Sequence, residues 1–376
     1  MKRFCGFATG FVFFISGLLK LMDPVGAGLV MKEYFKFLHV GFLEVTALPS
    51  ALFFALMETL VGAGLITGVW RKLVAPFALG FQSFFTILTL LLVIFKPEMD
   101  CGCFGEAIHL THSQTIIKNL VLLALLLIYY IPVKYLGETK RKKYVAFGVV
   151  SLSTAAFTIY SLLYIPMADF TDFKPGTRIN RNSDAEHTYQ ATFIYSKDGR
   201  EEAFNLENLP DTTWSFVRTE TADTVTRKSM SAVISIMDKD GGYADSLLAS
   251  GKVIAVSIYK DKVSEKDASR LRRFEEDVRN AGFTPIFLST TPIEGLSSYT
   301  CDYKTLITLN RSNGGATYIN DGYIIRKWAK RALPDPEGLA MLSDEDPTDT
   351  FIGRDTGTSL AFQGFLLYVF AVMLLL

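Results

Sequence analysis

A chain of 376 residues sets a prior of two or three domains, and a mean hydropathy of +0.27 with 30 Phe is too apolar for an ordinary water-soluble protein. Lysine plus arginine and aspartate plus glutamate balance at 38 each, which excludes a globally basic surface of the kind that binds nucleic acid. Four cysteines (Cys5, Cys101, Cys103 and Cys301) are too few for a disulfide scaffold, so the close pair stands out by its spacing.

In chain order, the first apolar run is Phe4 to Met22, behind Lys2 and Arg3. It reads as a transmembrane helix and not as a signal peptide, because it is long enough to span and no Ala-x-Ala-like site follows it. Pro49 opens a second run to about Val69, and a third covers about Leu73 to Phe95 after the Trp70-Arg71-Lys72 turn. The fourth run is Ile116 to Val133, the fifth Val145 to Ile165, and a terminal run, Ser359 to Leu376, is a candidate sixth span. Cytoplasmic loops collect Lys and Arg, and Lys2-Arg3, Arg71-Lys72 and Lys134 to Lys143 alternate correctly with the first five spans. The pattern predicts the N-terminus inside, loops 23–48 and 96–115 outside, and 167–357 outside as well. In a bacterial inner membrane that outside is the periplasm, where disulfides persist. Cys5 sits near the cytoplasmic end by the same count.

Beyond residue 167 the long apolar runs stop and the chain reads as a soluble α/β domain. Thr192-Phe-Ile-Tyr195 with the Lys197-Asp-Gly199 turn signal predicts a hairpin. Lys252 to Tyr259 is a buried-strand run; Ser264-Glu-Lys-Asp267 is a capping-box-like start for a helix to Ala281, stopped by Gly282; Thr284 to Ser289 is a second strand. That order predicts a parallel pair with a right-handed crossover. Gly314 to Trp328 predicts a hairpin turning at Asn320-Asp-Gly322, and the acidic tract Asp335 to Asp349 reads as a linker back to the membrane.

Asp100-Cys101-Gly102-Cys103-Phe104-Gly105 falls between two apolar runs and therefore at a membrane surface. Two cysteines separated by one residue have Cα atoms at most about 7 Å apart, so a modest bend, made easy by Gly102, lets them join. The small ring is strained, and strained, exposed disulfides are the labile, oxidising ones, which suits exchange chemistry. A permanent structural disulfide is the alternative. A third reading is a zinc or copper site from the string Cys101, Cys103, His109 and His112, the histidines lying in a segment, Glu106 to Ser113, that reads as a short interfacial helix. Asp100 and Glu106 act to raise thiol pKa values.

Glu58, about nine residues into the second span, needs a partner or a proton, since a charged acid mid-helix costs on the order of 3 kcal/mol on insertion scales. Lys20 and Gln82 are its candidate partners. The functional reading is a proton carrier or a head-group ligand for a membrane quinone; the plain reading is a packing hydrogen bond. Gly10, Gly17, Gly62 and Gly64 read as close helix contacts. Cys301 reads as a small buried apolar residue or a mixed-disulfide partner for the loop thiols, and Arg270 to Arg273 as a solvated helix face.

Over about residues 1–135, Gly10, Ser16-Gly17, Lys20, Asp23-Pro24, Glu58, Gly62, Asp100-Cys-Gly-Cys-Phe-Gly105 and Lys118-Asn119 resemble the DoxX/MauE group of membrane proteins, on the MauE (methylamine utilisation) side. The resemblance implies a four-helix membrane bundle broadly similar to vitamin K epoxide reductase and DsbB-type redox proteins. It also implies a thiol-disulfide role for Cys101 and Cys103 toward periplasmic thiol proteins. Over about 230 to 331 the strand-helix-strand-hairpin order resembles a thioredoxin-like fold, but Lys260-Asp-Lys-Val-Ser264 stands where a Cys-x-x-Cys pair would open the helix, and Asn313-Gly314-Gly315 where a proline would precede the hairpin. A docking or regulatory domain is the expectation.

The fold class expected is therefore membrane all-α, four helices plus additional spans, with a soluble α/β thioredoxin-like domain. Its parts are the bundle at 1–135, a basic loop and fifth helix at 136–166, the α/β domain at 167–350, and a terminal helix at 359–376. Function reads as thiol-disulfide redox in the inner membrane, against a non-enzymatic scaffold or sensor with a partner-binding periplasmic domain, or a metal-handling protein.

Overall fold

The computed structural model describes residues 2–97, 99–131, 139–179, 191–197, 200–204, 210, 214–221, 232–260, 263–293, 296 and 298–375. The chain opens with α1 (Lys2–Met22) and turns at Asp23 into α2 (Pro24–Phe37). Asp23 Oδ1 accepts from the Gly26 N–H at 2.9 Å and Pro24 occupies the first turn, a strong start signal. The segment 23–48, expected as a loop, is thus a helix followed by a 3-10 turn, Gly41–Thr46. Then come α3 (Ala47–Thr67) and α4 (Arg71–Phe95), a short extended segment β1 (Cys103–Glu106), α5 (His112–Tyr130) and α6 (Arg141–Leu163). Glu106 to Ser113 is not the interfacial helix expected: β1 ends at Glu106, and α5 begins at His112 on a capping box between Thr111 and Gln114.

Helices α1 and α3 meet closely because glycines face each other. A Cβ on Gly10 would stand 2.7 Å from the Gly62 carbonyl oxygen, and one on Gly62 would stand 2.5 Å from the Phe14 nitrogen. Cys5, Phe13, Val61, Leu65, Ala78, Leu122 and Leu126 fill the interior between α1, α3, α4 and α5. Outward, Ile87, Leu90 and Ile94 of α4 and Leu152 and Ile159 of α6 are exposed, an apolar exterior that only a nonaqueous surrounding makes favourable. Among the described residues, five helices are long and apolar enough to cross a membrane: Arg3–Met22, Gly41–Thr67, Arg71–Phe95, His112–Tyr130 and Arg141–Leu163.

The extramembrane part begins with an antiparallel sheet, order β3-β2-β4, from β2 (Ala191–Lys197), β3 (Arg200–Phe204) and β4 (Ser215–Thr221). Lys197 pairs with Arg200 across the predicted hairpin, whose turn residues 198–199 lie outside the described residues. The larger sheet holds β5 (Lys252–Ile258), β6 (Thr284–Ser289), β7 (Ser298–Thr300), β8 (Gly315–Asn320) and β9 (Tyr323–Trp328) in the order β7-β6-β5-β8-β9. Strands β5 and β6 are parallel and joined through α7 (Glu265–Asn280), which Ser264 caps by accepting from the Asp267 N–H. Strands β8 and β9 are antiparallel and turn on Asp321 and Gly322, both at positive φ as a tight primed turn requires. Both faces of the sheet are buried, which is why β5 reads as an unbroken apolar run: Val253 and Ala255 face one core, Ile254, Val256 and Ile258 the other.

The first core is closed by α8 (Tyr303–Leu309), through Leu306 and Leu309; the second by α7 and by α9 (Pro336–Asp344), through Leu339 and Leu342. The acidic tract is therefore no linker. Asp335 caps α9, Pro336 occupies its first turn, and two leucines at i, i+3 give the helix a buried side. The last helix, α10 (Pro347–Leu375), starts well ahead of Ser359. It lies against α6 and α1, with Phe365 stacked on Phe157 at 5.5 Å, the Tyr368 and Ser153 hydroxyls hydrogen-bonded, and Val369 and Val372 packed with Phe14 and Leu18.

Candidate functional site

The dithiol loop sits over the end of α1 that carries Lys20. Gly102 and Gly105 have φ of +56° and +61°, the left-handed region that favours glycine, and Val30 of α2 fills the space a Cβ on Gly102 would need. Three side chains pin the turn: Tyr34 of α2 donates to the Cys101 carbonyl at 2.9 Å, Ser16 of α1 to the Cys103 carbonyl at 2.5 Å, and Lys118 of α5 lies 4.8 Å over the Phe104 ring. All four cysteines carry free thiols; Cys101 is buried and Cys103 partly exposed. Burial pushes the Cys101 thiol up, a Thr115 hydrogen bond and the Lys118 charge drawing it part of the way back. Cys5 lies near the opposite end of α1, separated from Lys20 by about 22 Å of helix at 1.5 Å per residue.

Below the loop, one cavity reaches into the bundle. Cys101, Cys103, Lys20, Glu58 and Gln82 all line it. Lys20 Nζ is 2.5 Å from Glu58 Oε2 and 3.3 Å from the Ser16 hydroxyl, so a run of polar contacts joins the intramembrane acid to the Cys103 carbonyl. Gln82 is not Glu58's partner. Its amide donates to the Asn119 carbonyl at 3.2 Å, while Asn119 donates to Thr89 at 2.9 Å, which gives the cavity a second polar wall on α4 and α5. Between these walls Phe54, Phe81 and Phe85 are packed ring against ring. The cavity lining is mostly apolar with a few convergent polar groups, the composition of an organic-ligand site.

The Cys/His string does not converge. His109 Nδ1 lies 3.1 Å from Asp100, His112 Nε2 lies 2.9 Å from the Met99 carbonyl, and among the described residues no group of three or more His, Cys, Asp or Glu is arranged to hold a metal ion. Cys301 is buried in the first core of the α/β domain beside α8, and burial, aided by Asp302, pushes its thiol up to about 12.

Arg311, which the sequence does not single out, joins the two halves. From the end of α8 its guanidinium lies 2.9 Å from Asp23, the α2 cap, and 3.3 Å from Glu106 at the end of β1. Burial pushes the Glu106 carboxyl up, against the pull of Arg311. Around this contact Lys304 meets Glu33 at 3.3 Å, and Lys32 lies 4.8 Å over the Tyr303 ring. No local pattern signals Arg311, because Asp23 is 288 positions away. Tyr34 is equally silent, since an apolar-flanked tyrosine in a segment read as loop carries no spacing signal.

Fold and site together define a multi-pass membrane protein that carries a mixed α/β domain over a dithiol loop. Residues 2–132 match the family model described as methylamine utilisation protein MauE. Residues 189–226 match a domain of unknown function, DUF8463. No curated protein and no solved structure matches the chain.

Proposed function

We propose that this chain is a thiol-disulfide oxidoreductase of the bacterial inner membrane, with Cys101 and Cys103 as its redox pair and Glu58 as a proton carrier. The reading is carried by the single cavity that both thiols share with the Lys20–Glu58 pair and Gln82. In the oxidised state a client thiolate attacks the more accessible sulfur, Cys103; the S–S bond breaks and Cys101 leaves, taking up a proton. A second client thiol then attacks the mixed disulfide and releases Cys103, so the client loses two electrons and the pair gains them. A lipid-soluble quinone, when bound, supplies a two-electron, two-proton acceptor for reoxidation. Cys101 and Cys103 lose their protons as the S–S bond re-forms, and Glu58 relays one of them; its ion pair with Lys20 supports this reading.

The α/β domain we read as thioredoxin-like without a redox pair, a docking module. Its β6-β5-β8-β9 order, with α7 between the parallel strands and α9 after the hairpin, supports that reading, and Lys260 to Ser264 stands in place of the cysteines. The domain faces the periplasm and α10 is a sixth span. In support, the basic starts of α4 and α6 lie together, with Trp70 against Tyr144 and Phe147, at the end opposite the dithiol loop.

The test is reduction of an added short-chain benzoquinone by the reduced, lipid-embedded protein, together with thiol trapping by membrane-impermeant maleimide in intact cells. Quinone reduction disappears in Cys101→Ser and Cys103→Ser, and the pair labels from outside only after reduction. Full quinone reduction and client oxidation in the double variant would overturn the reading in favour of a scaffold with an architectural loop.

A further inference from the structure

Among the contacts between the α/β domain and the membrane half is a buried charged cluster, and it grips two of the elements that carry or hold the dithiol. Asp23 starts α2, whose Tyr34 holds the Cys101 carbonyl and whose Val30 backs Gly102; Glu106 ends β1, which starts at Cys103. Arg311 bridges them. Its Nε donates to Asp23 Oδ2 at 2.9 Å, its second terminal nitrogen lies 2.9 Å from the same oxygen and 3.3 Å from Glu106, and its first donates to the Ile307 carbonyl. The Arg311 and Asp23 side chains are 5% and 8% exposed, so the attraction is little screened by solvent. The cluster is also sterically closed, because a Cβ on Gly26 would stand 2.9 Å from Glu106 Cγ. On the domain side Arg311 is held in turn, as Tyr259 donates to its carbonyl at 2.9 Å and Asn313 accepts from the Tyr259 N–H.

We propose that Arg311 is a positioning residue for the dithiol: by clamping Asp23 and Glu106 it fixes α2 and β1 against each other, so the docked α/β domain sets how far Cys101 and Cys103 are exposed and how readily they exchange. A domain without thiols of its own at its helix start would in this way govern the chemistry of a loop it does not contain. The inference rests on the proposed redox reading for its purpose, but the geometry is tested without it.

The experiment follows alkylation of each cysteine in the full-length, lipid-embedded, reduced protein by peptide-level mass spectrometry. Cys301 reports general unfolding, because it is buried in the first core of the α/β domain. Arg311→Gln should speed labelling of Cys101 and Cys103 by about threefold to thirtyfold with Cys301 unchanged, the range in which coupled positions act. Arg311→Lys, which keeps the charge and loses the two-pronged contact, falls between. Asp23→Asn is the second variant. Asparagine still caps α2 through its carbonyl oxygen, so a rise matching Arg311→Gln ties the effect to the clamp and separates it from helix capping. Unchanged labelling in both Arg311→Gln and Asp23→Asn overturns the proposal, as does a parallel rise at Cys301, which would make Arg311 a general stabiliser. Failure of the redox reading is distinguished by the wild-type protein alone, which would then reduce no quinone whatever the labelling rates.

Discussion

The Lys20 ammonium and the Glu58 carboxylate meet at 2.5 Å between α1 and α3, with side chains only 16% and 12% exposed. Neither charge is tolerable alone at that depth, and together they present a polar floor to a cavity whose roof is a pair of thiols. The same contact helps set the register of α1 against α3, since Gly17 abuts Thr59 one position beyond Glu58.

Glu58→Leu leaves a buried ammonium and should destabilise the protein by roughly 3 kcal/mol, whereas Lys20→Met combined with Glu58→Leu should recover most of the loss. Reversible unfolding in detergent micelles measures both. A double variant as unstable as the single one would mean the ion pair is not what the helices rely on.

Gly62→Ala forces its new methyl to within 2.5 Å of the Phe14 nitrogen and should cost about 1–3 kcal/mol by overpacking. Gly80→Ala in α4 has nothing within 4 Å of the added carbon and should gain a few tenths to about 1 kcal/mol from helix propensity alone. Equal effects at the two sites in the same unfolding assay would contradict the close α1–α3 contact.

In the α/β domain Lys327 and Asp169 pair at 2.7 Å. Burial raises the Asp169 carboxyl, but Lys327 and the Thr171 hydrogen bonds outweigh it, and the folded pKa lies below the ordinary value. The folded state therefore holds its proton less tightly than the unfolded chain, so this stabilisation is present above about pH 4 and is lost as pH falls through the lowered value. Lys327→Met should abolish that acid slope. Superimposable acid-unfolding curves for the two proteins would refute the assignment.

Cys301 and Cys103 should differ in reactivity. With its thiol pushed up to about 12 inside a core, Cys301 stays unlabelled by maleimide at pH 8 in the folded, reduced protein, while the partly exposed Cys103 reacts, ahead of buried Cys101. A raised folded pKa also means stability that is present below the ordinary cysteine value and lost as pH rises through about 12, so Cys301→Ala should soften alkaline unfolding. Equal labelling of Cys301 and Cys103 before unfolding would sink this ordering.

Much of the fold is legible locally. The strand at Thr284–Ser289, the Ser264 cap, the Gly282 stop and the Asp321-Gly322 turn each depend on residues within one or two turns of each other. Where the reading missed, it overlooked signals of the same kind. Asp23-Pro24 and Asp335-Pro336 are both cap-and-proline helix starts, but one lay in a segment read as an outer loop and the other in an acidic tract read as linker. At the site, Lys20 could be paired with Glu58 because each stands alone as a charge in an apolar run. Gln82 could not be assigned, since an amide mid-span has several partners to choose from and took the Asn119 carbonyl.

The amino-acid sequence by itself determined the apolar spans, their charge asymmetry, the parallel strand pair and the closeness of Cys101 to Cys103, because periodicity, capping and spacing act over a few residues. Tertiary structure alone decided that both thiols, Lys20, Glu58 and Gln82 share one cavity and that Arg311 closes on Asp23 and Glu106. Those contacts span up to 288 positions, and their energy comes from the burial of charges that only the assembled fold brings together.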